Sequence, residues 1–176
     1  MPTVVIPFAD EGKTRLHASP DVRRALSAAM LADVVAACSV IGRVEVVTTG
    51  GGQGPAIASA LARVEAGPVV VVNADVPCVT AADLDALIAA TPALAEAKDG
   101  TTNVLSLPGP ESFAPLYGAG SANRFRAHFT ELGLECVTVH LPNLVDDVDT
   151  LGDLERVLDR CGGHTRKAFG LIGAPA

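Results

Sequence analysis

The sequence predicts a three-layer α/β/α sandwich on a mostly parallel, Rossmann-like sheet, and three observations carry that expectation. Val69 to Val72 is an apolar run without alternation, the pattern of a strand buried on both faces. Strand-like and helix-like segments alternate along nearly the whole chain, as such an architecture requires. The valine run then stops at Asn73 and Asp75, and Pro77 cannot continue a ladder. An acid is thereby left at the carboxyl end of a central strand, where open α/β sheets hold their ligands. Thr80 and Asp83 already supply a capping box to the next helix, so Asp75 stands out as a candidate functional acid.

Taken in order, Thr3 to Phe8 reads as the first strand and Ala9 to Ser19 as a polar loop. Ser19 as N-cap and Pro20 at the first helical position open a helix from about Asp21 to Cys38, with Leu26, Met30, Val34 and Val35 on its apolar face. Val44 to Thr48 is a second strand. A glycine loop from Gly50 to Gly54 leads into a helix from Pro55 to about Val64. After the valine strand come a helix over Ala81–Ala90 and a strand over Val104–Leu107. A helix over Ala122–Leu132, a strand over Glu135–His140 and a helix over Thr150–Leu158 complete the pattern. Residues 1–161 are expected to form a single domain and the glycine-bearing residues 162–176 a loosely ordered tail.

Composition excludes several classes of function. Hydrophobic residues make up 49% and charged residues 19% of 176 positions, a globular balance with enough material for a real core. A net charge of −7 and only 3% aromatics argue against a nucleic-acid surface, which needs a basic footprint and stacking platforms. No unbroken apolar run approaches the roughly 20 residues of a bilayer span, and the first residues form a strand instead of a signal peptide. Neither nucleic acid nor membrane is an expected partner. Cys38, Cys78, Cys136 and Cys161 are scattered without metal spacing, which predicts reduced thiols in a cytoplasmic enzyme.

The chemistry-bearing stretches are short. Gly12-Lys13-Thr14 is similar to the end of a Walker A loop, but Pro7 stands where that motif needs glycine. What remains is a loop after the first strand bearing Lys13 and Arg15, at the place where α/β folds bind phosphates; a solvated basic turn would look the same. Gly50 to Gly54 fails the dinucleotide fingerprint because Pro55 occupies the third glycine position. Gly100-Thr101-Thr102-Asn103 and Gly118-Ala119-Gly120-Ser121 offer hydroxyls and bare amides to carboxylate or phosphate oxygens, with Ser121 as a plausible N-cap. Asp146, Asp147 and Asp149 crowd before the last long helix. The helix dipole accounts for one such acid; together with Asp75 they suit Mg²⁺, which takes oxygen ligands only.

Several of these stretches, in order, resemble the 2-phospho-L-lactate guanylyltransferases. They are Lys13-Thr14-Arg15-Leu16, Ala29-Met30-Leu31-Ala32-Asp33-Val34, Ala74-Asp75-Val76-Pro77 and Gly100-Thr101-Thr102-Asn103. Phe113 with Tyr117-Gly118-Ala119-Gly120-Ser121, and Asp147-Val148-Asp149-Thr150 with Asp153-Leu154, complete the set. The resemblance extends to about Leu158. It implies a MobA-like nucleotidyltransferase that joins GMP from GTP to a phosphorylated three-carbon acid, phosphoenolpyruvate or 2-phospho-L-lactate, and releases pyrophosphate in coenzyme F-420 biosynthesis. It further implies that Lys13 and Arg15 hold the GTP phosphates, that Asp75 with Asp147 or Asp149 holds Mg²⁺, and that Thr102, Gly118 and Ser121 bind the acceptor. A catalytically silent paralogue, or an enzyme for another nucleotide or acceptor, is the alternative.

One departure from the family pattern bears on the base. The family usually carries a further helix and strand after the second strand, before a Gly-Leu-Asn-type loop. Here Val47-Thr48-Thr49 runs straight into the glycine loop, with Gln53-Gly54-Pro55 in that loop's place. Too few residues lie between Thr48 and the next helix to build another crossover. The Val44–Thr48 strand is therefore expected at a shortened sheet edge, either covered by a second subunit in a homodimer or kept short and twisted.

Overall fold

The computed structural model describes residues 1–9 and 14–172. Six strands form one sheet in the order β2-β1-β3-β5-β4-β6: β1 Thr3–Phe8, β2 Arg43–Thr48, β3 Val69–Val72, β4 Ala93–Glu96, β5 Thr102–Leu107 and β6 Val137–Thr138. The β1–β2, β1–β3 and β4–β6 pairs are parallel, whereas β5 runs antiparallel to both β3 and β4. The reversal follows from a tight turn between β4 and β5. Gly100 takes φ +81°, a left-handed conformation that glycine adopts without strain, and Asp99 accepts from the amide and hydroxyl of Thr101.

The valine strand lies between β1 and β5, fully buried on both faces. Val70 and Val72 pack in one layer with Val34 and Cys38 of α1 (Pro20–Ile41) and with Leu84 and Leu87 of α3 (Ala81–Ala89). Val69 and Val71 face the opposite layer, where Ile57 and Leu61 of α2 (Gln53–Leu61) meet Phe125 and Phe129 of α4 (Ser121–Glu131). The three layers are those expected. A third apolar cluster joins Leu26 and Met30 of α1 to Leu154 and Val157 of α6 (Leu151–Val157). Strand β2 is the sheet edge, as its short flanking segment predicts.

Local signals account for most boundaries. Ser19 accepts from the amide of Val22 and Pro20 opens α1, while Thr80 and Thr150 each complete a capping box, with Asp83 and Asp153. Helix α1 is long and apolar enough, by length and composition alone, to cross a membrane, although no single uninterrupted apolar run announces it. Here its apolar face lies on the sheet and on the third cluster.

Three expectations need correction. Strand β4 was not expected, because Ala93-Leu94-Ala95-Glu96 has no β-branched residue; pairing with β5 and β6 on its two sides imposes the extended form. The strand expected over Glu135–His140 contracts to Val137–Thr138, and a one-turn helix, α5 (Pro142–Val145), follows it. The supposed loose tail contains α7 (Gly163–Ile172). The buried carboxylate of Asp33 in α1 accepts from the amides of His164 at 3.0 Å and Thr165 at 2.8 Å, capping α7 from a distant part of the chain. Gly162 permits this approach, since a Cβ there would lie 2.2 Å from Asp33 Cγ.

Candidate active site at the carboxyl edge of the sheet

The site assembles where β1 and β3 end and where β5, running the other way, begins. The chain leaves β3 through Asn73, whose amide donates to Asn103 O at 2.9 Å and prolongs the β3–β5 pairing. Asp75 follows, and its carbonyl accepts from the Val148 amide at 2.9 Å, which brings the acidic segment 146–149 against the end of the central strand. Asn103 Nδ2 donates to Leu144 O at 3.0 Å and Val145 O at 3.2 Å, holding α5 just ahead of that segment.

Asp75, Asp147 and Asp149 are thereby brought together. One carboxylate oxygen from each lies within 4.8 Å of the other two, and all three residues are half-buried. Burial pushes the Asp147 carboxyl above its ordinary range, and the neighbouring charges of Asp75 and Asp149 push it further. Such crowding is costly without a cation, and a donor set made only of carboxylate oxygens fits a hard divalent ion. Asp146 does something else. It is the buried member of a surface network in which Lys98, Arg156 and Arg160 surround one carboxylate, anchoring the segment that carries Asp147 and Asp149.

Two cavities meet at these acids. One, about 230 Å³, is walled by Pro7, Phe8, Ser27, Met30 and Thr49; the other, about 360 Å³, by Arg15, Thr101, Thr102, Tyr117, Gly118 and Ser121. Gln53, Asn73, Asp75 and Asp149 line both. Arg15 reaches into the second cavity and forms an ion pair with Asp149 at 3.0 Å. Thr102, Gly118 and Ser121 gather on one wall, where Ser121 Oγ donates to Thr102 Oγ1 at 3.0 Å. Ser121 is not the N-cap of α4, however. Gly120 holds that position in the left-handed conformation, which leaves the Ser121 hydroxyl directed to Thr102 instead of to the helix backbone. Lys13 lies outside the described residues.

The sequence alone did not single out Gln53 or Asn73 as site residues. Asn73 donates to Thr102 O at 3.1 Å and accepts from Gln53 Nε2 at 2.7 Å, a carboxamide pair standing between the two cavities. Gln53 lies within the glycine stretch and opens α2 two residues ahead of the expected start at Pro55; its place among those glycines was the available signal.

A curated 2-phospho-L-lactate guanylyltransferase from Natrialba magadii is 33% identical over 195 aligned positions, covering 88% of this chain and 82% of that protein. The chain belongs to that guanylyltransferase family. A phosphoenolpyruvate guanylyltransferase from Sphaerobacter thermophilus is 39% identical over 92 residues, 49% of this chain and 44% of that protein, so this match spans less than half of the relative's length. No family model matches. A crystal structure from Desulfovibrio desulfuricans described as a nucleotide-diphospho-sugar transferase superposes with a TM-score of 0.77 at 16% identity, covering 97% of this chain and 96% of that one. The two chains share a fold.

Proposed function

We propose that this chain transfers a guanylyl group from GTP to the phosphate of a three-carbon phosphoacid, phosphoenolpyruvate or 2-phospho-L-lactate. The observation that carries the reading is the pair of cavities joined at Asp75 and Asp149, one chamber for each of two anionic reactants. Family membership supports GTP as the nucleotide and a phosphorylated acid as the acceptor.

An oxygen of the acceptor phosphate attacks the α-phosphorus of GTP. The new P–O bond forms as the α–β bridging P–O bond breaks, and pyrophosphate leaves with the bonding electrons. The nucleophile is already an anion, so no covalent enzyme intermediate and no general base are needed; the work is positioning and charge neutralisation. Asp75, Asp147 and Asp149 would hold Mg²⁺, which when bound offsets negative charge on the α-phosphate and the departing pyrophosphate. Arg15, with Lys13, holds the nucleotide phosphates. Thr102, Gly118 and Ser121 orient the acceptor through hydroxyl and amide donors. The product belongs to coenzyme F-420 biosynthesis in a cytoplasm, as the family resemblance implies.

Pyrophosphate release, measured for the four nucleoside triphosphates against a panel of three-carbon phosphoacids, tests the reading. GTP with phosphoenolpyruvate or 2-phospho-L-lactate is expected to give turnover that requires Mg²⁺. Silence with every pair would leave a catalytically inactive paralogue as the correct description.

A further inference from the structure

We infer that Arg124 is a positioning residue for the acceptor, acting through the backbone of residues 116–120; the inference rests on the guanylyl-transfer reading above. Arg124 is not among the residues that line the cavity. Its Nε and Nη2 donate to Leu116 O at 3.1 and 2.7 Å, Nη2 also donates to Tyr117 O at 3.3 Å, and Nη1 donates to Ala119 O. The two remaining carbonyls are taken up by the start of α4: Gly118 O accepts from the Ser121 amide at 3.0 Å, and Gly120 O from the Arg124 amide at 3.4 Å. Every carbonyl from Leu116 to Gly120 is thus engaged within the loop and the first turn of the helix.

The amides give the complementary picture. Those of Gly118, Ala119 and Gly120 donate to no acceptor among the described residues. Gly118 at φ +113° and Gly120 at φ +69° take backbone conformations that favour glycine, the kind of succession that gathers amides into an anion-binding concavity. A loop whose carbonyls faced the cavity would repel a carboxylate or phosphate. A guanidinium is suited to preventing this, because its planar fork reaches several oxygens at once. Gly118 and Ser121 are the residues given to the acceptor in the reading above, and neither lines the first cavity, so the effect should fall on the acceptor.

Steady-state kinetics of Arg124→Ala and Arg124→Lys, with GTP and acceptor varied in turn, test this. Losing the clamp should raise the acceptor KM about tenfold or more, the scale of one hydrogen bond to a charged group, while the GTP KM stays within about twofold. Lysine, a single point donor, should recover part of the acceptor KM and not all of it. Equal increases in both KM values, or a fall in kcat with the acceptor KM unchanged, would overturn the positioning role. Wild-type protein inactive on every phosphoacid would instead overturn the guanylyl-transfer reading, and this inference with it.

Discussion

Asp75, Asp147 and Asp149 bring a carboxylate oxygen each within 4.8 Å of one another, and they set activity against stability. Because burial and its two neighbours make ionised Asp147 costly, removing one of the three charges should not weaken the fold. Asp75→Asn is expected to abolish turnover while unfolding stability stays within about 1 kcal/mol of wild type or improves. Thermal unfolding with and without Mg²⁺ checks it: the ion should raise the wild-type Tm and shift the variant much less. Normal Mg²⁺-dependent turnover in the variant would remove Asp75 from the mechanism. The acids were legible in the sequence because a carboxylate after a buried strand, or three before a helix, has few structural uses. Asn73 and Arg124 were not. Their partners include the carbonyls of Thr102 and Leu116, and a carbonyl acceptor leaves no mark on residue type.

Among the elements, α6 shows how a cap becomes pH-dependent. Burial raises the Asp153 carboxyl, but hydrogen bonds from Thr150 and Arg156 outweigh it and hold the group below the ordinary value of 3.8. A depressed folded value means that the contribution is complete above the unfolded pKa and disappears as pH falls through the folded one. Asp153→Ala should therefore cost about 1 kcal/mol near neutrality, a gap that closes in denaturant titrations carried from pH 7 down toward pH 2. A gap independent of pH would mean that the side chain acts by packing. The helix itself was legible, since Thr150 and Asp153 lie three apart and Leu154, Val157 and Leu158 follow at helical spacing. Helix α7 was not, because its cap is Asp33, more than a hundred residues away, and spacing rules see only local partners.

At the scale of the whole molecule, the three layers and the edge position of β2 were legible, because the valine run and the missing crossover are both matters of length. The reversed direction of β5 was not, since strand direction depends on a turn whose only local mark is Asp99-Gly100. The relative from Natrialba magadii aligns over 195 positions, more than the 176 residues present here, so it carries segments that this chain lacks. Among the described residues no strand lies outside β2, so the first cavity is expected to lack a wall that could read a base, while Arg15 and Asp75 would remain for the phosphates. Selection of GTP over ATP should then be modest, on the order of tens-fold, far below what a buried hydrogen-bonding site achieves. Competition between the two nucleotides at matched Mg²⁺ measures it, and a preference above about ten-thousand-fold would place base recognition elsewhere in the chain.

The reversal of β5 also sets an order in time. A hairpin between neighbouring strands closes a short loop and forms within about 1–10 μs, whereas parallel pairs must wait for their crossovers. Among the described residues the β4–β5 hairpin is the one local pairing in the sheet. The site, by contrast, needs the Val148 amide on Asp75 and the ion pair between Arg15 and Asp149, whose partners are 134 positions apart. Contacts of such separation carry the largest closure entropy, so the acidic triad is expected to assemble after the hairpin.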